Sequence, residues 1–166
     1  MRGLLLAAVT CITILIGAAA ASADVDTEIL TINATVNSQA KLTLSSTTVN
    51  FASANPDTTP SIPADENPVS VTAKARTGSA STVTLTVLAA GDLLSGGDTI
   101  AINNVSWTAS GAGFVGGIMD KTIAQSAGSW TGSGNRSGAF SYFLANSWDY
   151  PTGSYMQSAT YTLTAP

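Results

Sequence analysis

The sequence predicts an all-β fold, an antiparallel β-sandwich of about eight or nine strands, on three observations. Beyond the first two dozen residues helical periodicity is nearly absent. Short runs of alternating apolar and polar residues recur between turn signals, and Gly, Thr, Ser, Val and Asn dominate them. The last run, GSYMQSATYTLTAP, is itself strand-like: Tyr155, Gln157, Ala159, Tyr161 and Leu163 fall on one side of an extended chain, and Ser154, Met156, Ser158, Thr160, Thr162 and Thr164 on the other. A chain end stays ordered when it is tied into a sheet.

Taken in order, the chain opens with Met1-Arg2, a mostly apolar run from Leu4 to Ile16 and the small residues AAAASA. This is the layout of a secretory signal peptide, residues 1–23, with the triplet Ala21-Ser22-Ala23 as cleavage site and Asp24 as the new start. A retained membrane anchor is the rival reading, because the apolar stretch approaches the ~20 residues that span a bilayer. The weakly hydrophobic alanine-rich end and its cleavage triplet favour removal. Cys11 lies inside the apolar run, whereas a lipid-attachment cysteine would close it.

Cleavage leaves 143 of the 166 residues, enough for one sandwich domain, 37–166, preceded by an extended segment, 24–36. In that segment Leu30, Ile32, Ala34 and Val36 alternate with Ile29, Thr31, Asn33 and Thr35. KLTL and TTVNF follow as two short pieces. The connection NPDTTPSIPADENP holds four of the six prolines and predicts a surface passage that no central strand can accommodate. PVSVTAKA and TVTLTVLA, bridged by RTGSAS, read as a hairpin. GDLLSGGD reads as a loop with Asp92 and Asp98 near its ends. In TIAINNVSWTA the inward set slips from Ile100 and Ile102 to Val105 and Trp107, which predicts a bulge near Asn103-Asn104. GIMDKTIAQSAG, GAFSYFLANSW and the terminal run complete the strands. The expected core is Val71, Leu85, Val87, Ile102, Trp107, Phe140 and Leu163.

Composition narrows the chemistry. Past the leader the chain has no cysteine and no histidine, which removes most zinc, copper and haem ligand sets, the Ser-His-Asp triad and the Cys-His dyad. No carboxylate pair has a spacing that singles it out for acid-base work, so no catalytic residue, cofactor or metal is expected and the protein reads as a non-enzyme. Asp24, Asp26 and Glu28 at the new start, and Asp92 and Asp98 around the glycine loop, are explained by solvation and turn chemistry better than by calcium, which needs six or more fixed oxygens. With 10 acidic against 5 basic side chains after cleavage, the chain lacks the basic clusters that nucleic acid or an anionic membrane demands. Trp107, Trp130 and Trp148 with the tyrosines fill a core or, if exposed, offer planes to a sugar; Trp130 lies in a glycine- and serine-rich stretch that predicts exposure.

The signal pattern, the alternating segment leading into KLTLSSTTVNFA, the proline-rich connection and the ending GSYMQSATYTLTAP together resemble bacterial fimbrial subunits of the spore coat U type, the pilins of archaic chaperone-usher systems. Gly153-Ser154-Tyr155 and Tyr161-Thr162-Leu163 are the sharpest matching pieces. The chain departs from such subunits in lacking a disulfide and in continuing to Ala165-Pro166. The resemblance implies an immunoglobulin-like sandwich missing one strand, the gap being filled by an extended segment of another chain. It casts Leu30, Ile32, Ala34 and Val36 as donor-strand plugs, and the strand carrying Tyr155, Gln157, Ala159, Tyr161 and Leu163 as the edge that a periplasmic chaperone pairs with. The implied role is a structural subunit of a surface filament or coat, secreted through the periplasm with chaperone and usher, with copies or homologues of itself as partners. A monomeric secreted binding module, with glycans as one candidate ligand, is the alternative from the residues alone.

Overall fold

The computed structural model describes residues 23–166; the leader reading falls on residues outside these. The fold is all-β. The strands are β1 (Gln39–Leu44), β2 (Ser61–Pro63), β3 (Val69–Arg76), β4 (Thr82–Ala89), β5 (Leu93–Ser95), β6 (Asp98–Ile100), β7 (Val105–Ser110), β8 (Gly117–Ile118), β9 (Gln125–Thr131), β10 (Gly134–Ala145) and β11 (Ala159–Thr164). The larger sheet runs β1-β3-β10-β7-β8 with β2 beside β10, the smaller runs β11-β4-β9, and β5-β6 form a separate hairpin. All pairings are antiparallel. Eleven strands form against the eight or nine expected: residues 28–36 and TTVNF form none, while the short strands β2 and β5 form in stretches that read as connections.

The two sheets pack through their alternating inward faces. Val69, Val71, Ala73 and Ala75 of β3 and Val83, Leu85, Val87 and Ala89 of β4 are all buried, and they share one core with Trp107 of β7, Trp130 of β9, and Phe140 and Tyr142 of β10. An aromatic spine runs through it: Phe114 and Phe140 meet edge-on at 5.8 Å, and Phe140 stacks on Tyr161 at 5.7 Å, linking the sheets. Of the expected core, Val71, Leu85, Val87, Ile102, Trp107 and Phe140 are buried; Leu163 is only half-buried.

Several local expectations are corrected. β3 and β4 are not a hairpin, because they belong to different sheets. Their identical alternation serves facing sheets as well as neighbouring strands, so the pattern cannot separate the two. Residues 77–81 therefore form an arch from sheet to sheet, and residues 132–133 between β9 and β10 form a second. The arches are tied together: Gly132 N donates to Ser81 O, Thr77 N to Ser133 Oγ and Ser133 Oγ to Thr77 O. The stretch 91–98 is not a plain loop. Leu93–Ser95 and Asp98–Ile100 pair across Gly96-Gly97, with Gly96 at φ 60° as a tight two-residue turn needs.

The phase slip before Trp107 comes from a 3-10 turn, Ile102–Asn104, and not from a bulge. The irregularity lies in the β4-β9 pairing instead, where Leu85 faces Gly128 but Thr86 faces Ser126, leaving Ala127 as an extra, buried residue. Trp130 is a buried inward residue of β9, not an exposed loop residue, because AGSW continues the strand through its glycine. The proline-rich connection includes the short strand β2, whose Ile62 is buried and which lies along the end of β10 beyond β3. TTVNF forms no strand, although Val49 and Phe51 are half-buried against the core. The terminal strand starts at Ala159; before it Met156 forms only an isolated bridge to Leu94.

Candidate functional site

The sandwich is closed unevenly. At its centre Val71, Ala73, Leu85 and Phe140 are almost wholly inaccessible. At the margin where β1 ends the larger sheet and β11 ends the smaller, the inward side chains Leu42, Leu44, Tyr161 and Leu163 are only half-buried. Val49, Phe51 and Ala165 are likewise half-buried against the core. β1 pairs only with β3, and β11 only with β4, among the described residues. The two strands lie near each other without joining.

Backbone polarity at the two edges follows from parity. In an antiparallel ladder, residues of a hydrogen-bonded pair direct their N–H and C=O at the partner, and residues of the next pair direct theirs away. Ser45 N donates to Ser70 O, and Ser45 stands opposite Ser70 one step beyond the pair Leu44 and Val71. Leu44, Leu42 and Ala40 therefore point their backbone groups to the open side of β1. On β11, Ala90 N donates to Ser158 O, so Ala159, Tyr161 and Leu163, which alternate with Ser158, turn theirs to the open side. Ala89 N agrees, donating away from β11 to Asp120 O. Leu42 and Leu44 on one edge, and Tyr161 and Leu163 on the other, thus combine an inward apolar side chain with outward backbone groups. That is the chemistry of a slot for an extended chain.

The slot has a fixed floor. Tyr161 stacks on Phe140 and its hydroxyl is 2.8 Å from that of Tyr142. Burial pushes the pKa of both tyrosines above the ordinary range, most strongly for Tyr161, where the neighbouring Tyr142 adds to it. Both phenols stay neutral across the physiological range, so they supply one hydrogen bond and no charge.

Of the residues singled out in the terminal strand, Tyr161 and Leu163 line the slot and Ala159 is exposed. Tyr155 and Gln157 are half-buried before the strand, Gln157 Nε2 donating to Asp92 O and Tyr155 Oη to Pro151 O. Leu30, Ile32, Ala34 and Val36 are all exposed, Leu30 at 83% and Ile32 at 84%. Residues 23–34 and Thr35–Pro166 are separate units, and residues 23–38 contain no helix or strand. The β1 half of the slot was missed in the sequence. KLTL alternates as clearly as the terminal run, but its shortness gave no sign that it would end a sheet.

Asp92 and Asp98 do not converge. Asp92 accepts from Ile102 N at 3.0 Å and pairs with Lys121, and these bonds, Lys121 first, hold its pKa below the ordinary value. Asp98 faces Ser95 across the hairpin. No group of three potential metal ligands occurs among the described residues. No protein-family model, no curated protein and no solved structure matches the chain.

Proposed function

We infer that this protein is a structural subunit of a bacterial cell-surface filament or coat that assembles by β-strand addition. Copies or homologues of the chain are its partners, and a periplasmic chaperone and usher handle it in transit after signal cleavage. The observation that carries the reading is the margin between β1 and β11, where Leu42, Leu44, Tyr161 and Leu163 offer half-covered apolar side chains and outward backbone groups together. An added strand satisfies both at once and turns two exposed edges, otherwise an aggregation hazard, into a directed contact. Residues 24–36 supply a strand of the right kind, with Leu30, Ile32, Ala34 and Val36 in a single phase. Each Leu or Ile fully buried there contributes roughly 1.5–3 kcal/mol. Because the donated segment and the slot are different surfaces, the contact is head-to-tail and propagates as an open filament.

The test is a pair of charges on opposite faces of the arm. Ile32→Asp places an unpaired charge in the slot and is expected to abolish multimers, whereas Thr31→Asp leaves them intact. Size-exclusion chromatography and electron microscopy distinguish the two, and equal behaviour of both variants overturns the reading. A second reading, a monomeric secreted binding module, is favoured by one observation. Trp148 is 68% exposed, with its Nε1 held at 3.1 Å by Asp57 Oδ1, so a flat aromatic face stands open to a sugar. A wild-type protein that remains monomeric at high concentration, with Trp148 fluorescence responding to oligosaccharides, selects that reading.

A further inference from the structure

The charged side chains of the sandwich are sorted along the strand axis. The tied arches define one end, since β3, β9 and β11 finish there and β4 and β10 begin there; Thr77 Oγ1 donates to Pro166 O beside them. Lys74 and Arg76 lie in the last turns of β3 at that end. Lys41 stands directly opposite Lys74 on β1, and Arg136 stands opposite Ala73 near the start of β10. No Asp or Glu occurs in β1, β3, β10 or either arch. Every Asp and Glu of residues 35–166 belongs to the other end. Asp65 and Glu66 precede β3, Asp149 follows β10, and Asp57 bonds Trp148 beside it. Asp92 and Asp98 follow β4, whose last residue, Ala89, donates to Asp120 O. Lys121 is the one basic side chain there, and it is engaged by Asp92.

Two details make the arch end an unfinished surface. Lys41 and Lys74 are a like-charge pair directly across an antiparallel ladder, which is unfavourable unless an anion is supplied. Trp130, 7% exposed, and Arg136 each bury an N–H, Nε1 and Nε, that has no acceptor among the described residues. Both sit beside the arch of residues 132–133. Eight residues of β3 separate the ends by roughly 26 Å, about three Debye lengths of ~8 Å at physiological salt. The side chains of each end therefore present predominantly one sign of charge to whatever approaches it.

We propose that the two ends are complementary docking faces for a second copy of this chain, the basic arch end of one sandwich receiving the acidic loop end of the next. A second copy is the occupant because the chain carries both signs on opposite ends. A foreign partner would need only one, and a two-fold dimer made end to end would set like against like. The proposal deepens the filament reading, on which it rests for the association of copies: strand addition supplies the bond, and end polarity sets the direction and speed of encounter.

The experiment mixes two charge-reversed proteins. K41E/K74E/R76E makes both ends acidic, and D57K/D65K/D98K/D149K makes both basic. All seven positions are exposed, and circular dichroism checks that each variant folds. Alone, each variant is expected to associate about tenfold to a thousandfold more slowly than wild type at low salt, by light scattering. Mixed in equal amounts, they are expected to recover the wild-type rate as an alternating assembly. The wild-type rate itself should fall as salt rises from about 0.01 M to about 1 M, where the Debye length shrinks from ~30 to ~3 Å. If a variant misfolds, the neutral K41Q/K74Q protein should still give an intermediate rate. Single variants that assemble like wild type, a mixture slower than wild type, or a salt-independent rate overturns the polarity proposal, and when I32D still abolishes multimers in the same assay the strand-addition reading survives. The converse result, a polar and salt-sensitive association unaffected by I32D, sinks strand addition and leaves end polarity standing.

Discussion

The centre of the sandwich and its β1-β11 margin are built from the same alternation, and they end in different states. Val71 on β3 and Leu85 on β4 have neighbours on both sides and a facing sheet, so their burial is complete. Leu44 and Leu163 point inward in the same way, yet each stands on a strand with one neighbour, and part of each stays in water. The difference teaches that inward orientation and burial are separate properties. The first is set by the strand's own sequence, the second by what lies beside it.

The largest expected contrast comes from truncating one side chain in each region. Phe140→Ala removes the ring that touches Phe114, Tyr142 and Tyr161 and should destabilise the domain by about 3–5 kcal/mol in urea denaturation. Leu163→Ala should cost the isolated domain about 1 kcal/mol or less, because much of its transfer free energy has not been realised, while reducing multimer formation sharply. A Leu163→Ala cost equal to that of a buried leucine would remove the distinction between centre and margin.

At the boundary of the two regions, Tyr142→Phe removes the hydroxyl facing that of Tyr161 and leaves the other without its partner. A loss of about 1 kcal/mol is expected. The pH dependence sharpens the point. The folded pKa values of Tyr142 and Tyr161 are raised by burial, so their contribution is present below the ordinary tyrosine value of about 10 and is lost as pH rises above it. Melting temperature should therefore fall above about pH 10, and less so in Tyr142→Phe.

The smallest effect is on the acid side. Glu66, held mainly by Asn50 N, Asp92, held mainly by Lys121, and Asp120, held mainly by Thr122 N, all have lowered folded values. Their contribution is present above the ordinary carboxylate range of about 4 and disappears as pH falls through the lowered values. These groups are only partly covered, so the decline should be shallow. A decline as steep as the alkaline one would mean that charge, not the apolar core, holds the domain.

The sequence made the strands legible where their inward faces are long and strictly alternating, as in β3 and β4. It failed on partnership. Nothing in VSVTAKA or TVTLTV records whether the two share a sheet, because a facing strand and a neighbouring strand ask for the same residues. Trp130 was misplaced since the glycines around it read as a loop. In fact Gly128 lies next to the backbone of Gly113, where a Cβ would stand 2.6 Å from the Gly113 carbonyl oxygen. Tyr161 and Leu163 of the slot were legible as a strand face, but Leu42 and Leu44 became meaningful only when β1 proved to be an edge.

The arches also bear on how fast the chain can fold. Because β3 hands over to β4, and β9 to β10, across the sandwich, consecutive long strands do not zip together. Val69–Arg76 must find Gly134–Ala145, and Thr82–Ala89 must find Ala159–Thr164 at the far end of the chain. Among the described residues, only β5-β6 and β7-β8 close locally. Chains dominated by such distant pairings pay loop entropy before any contact rewards it and fold in milliseconds to seconds. The smaller sheet needs β11 beside β4, and β11 follows every other strand of the fold in chain order, so it emerges after them during synthesis. Until Ala159–Thr164 arrives, the Val83, Leu85 and Val87 face lacks one flanking strand, a window in which a protease or an aggregating neighbour competes with the native partner.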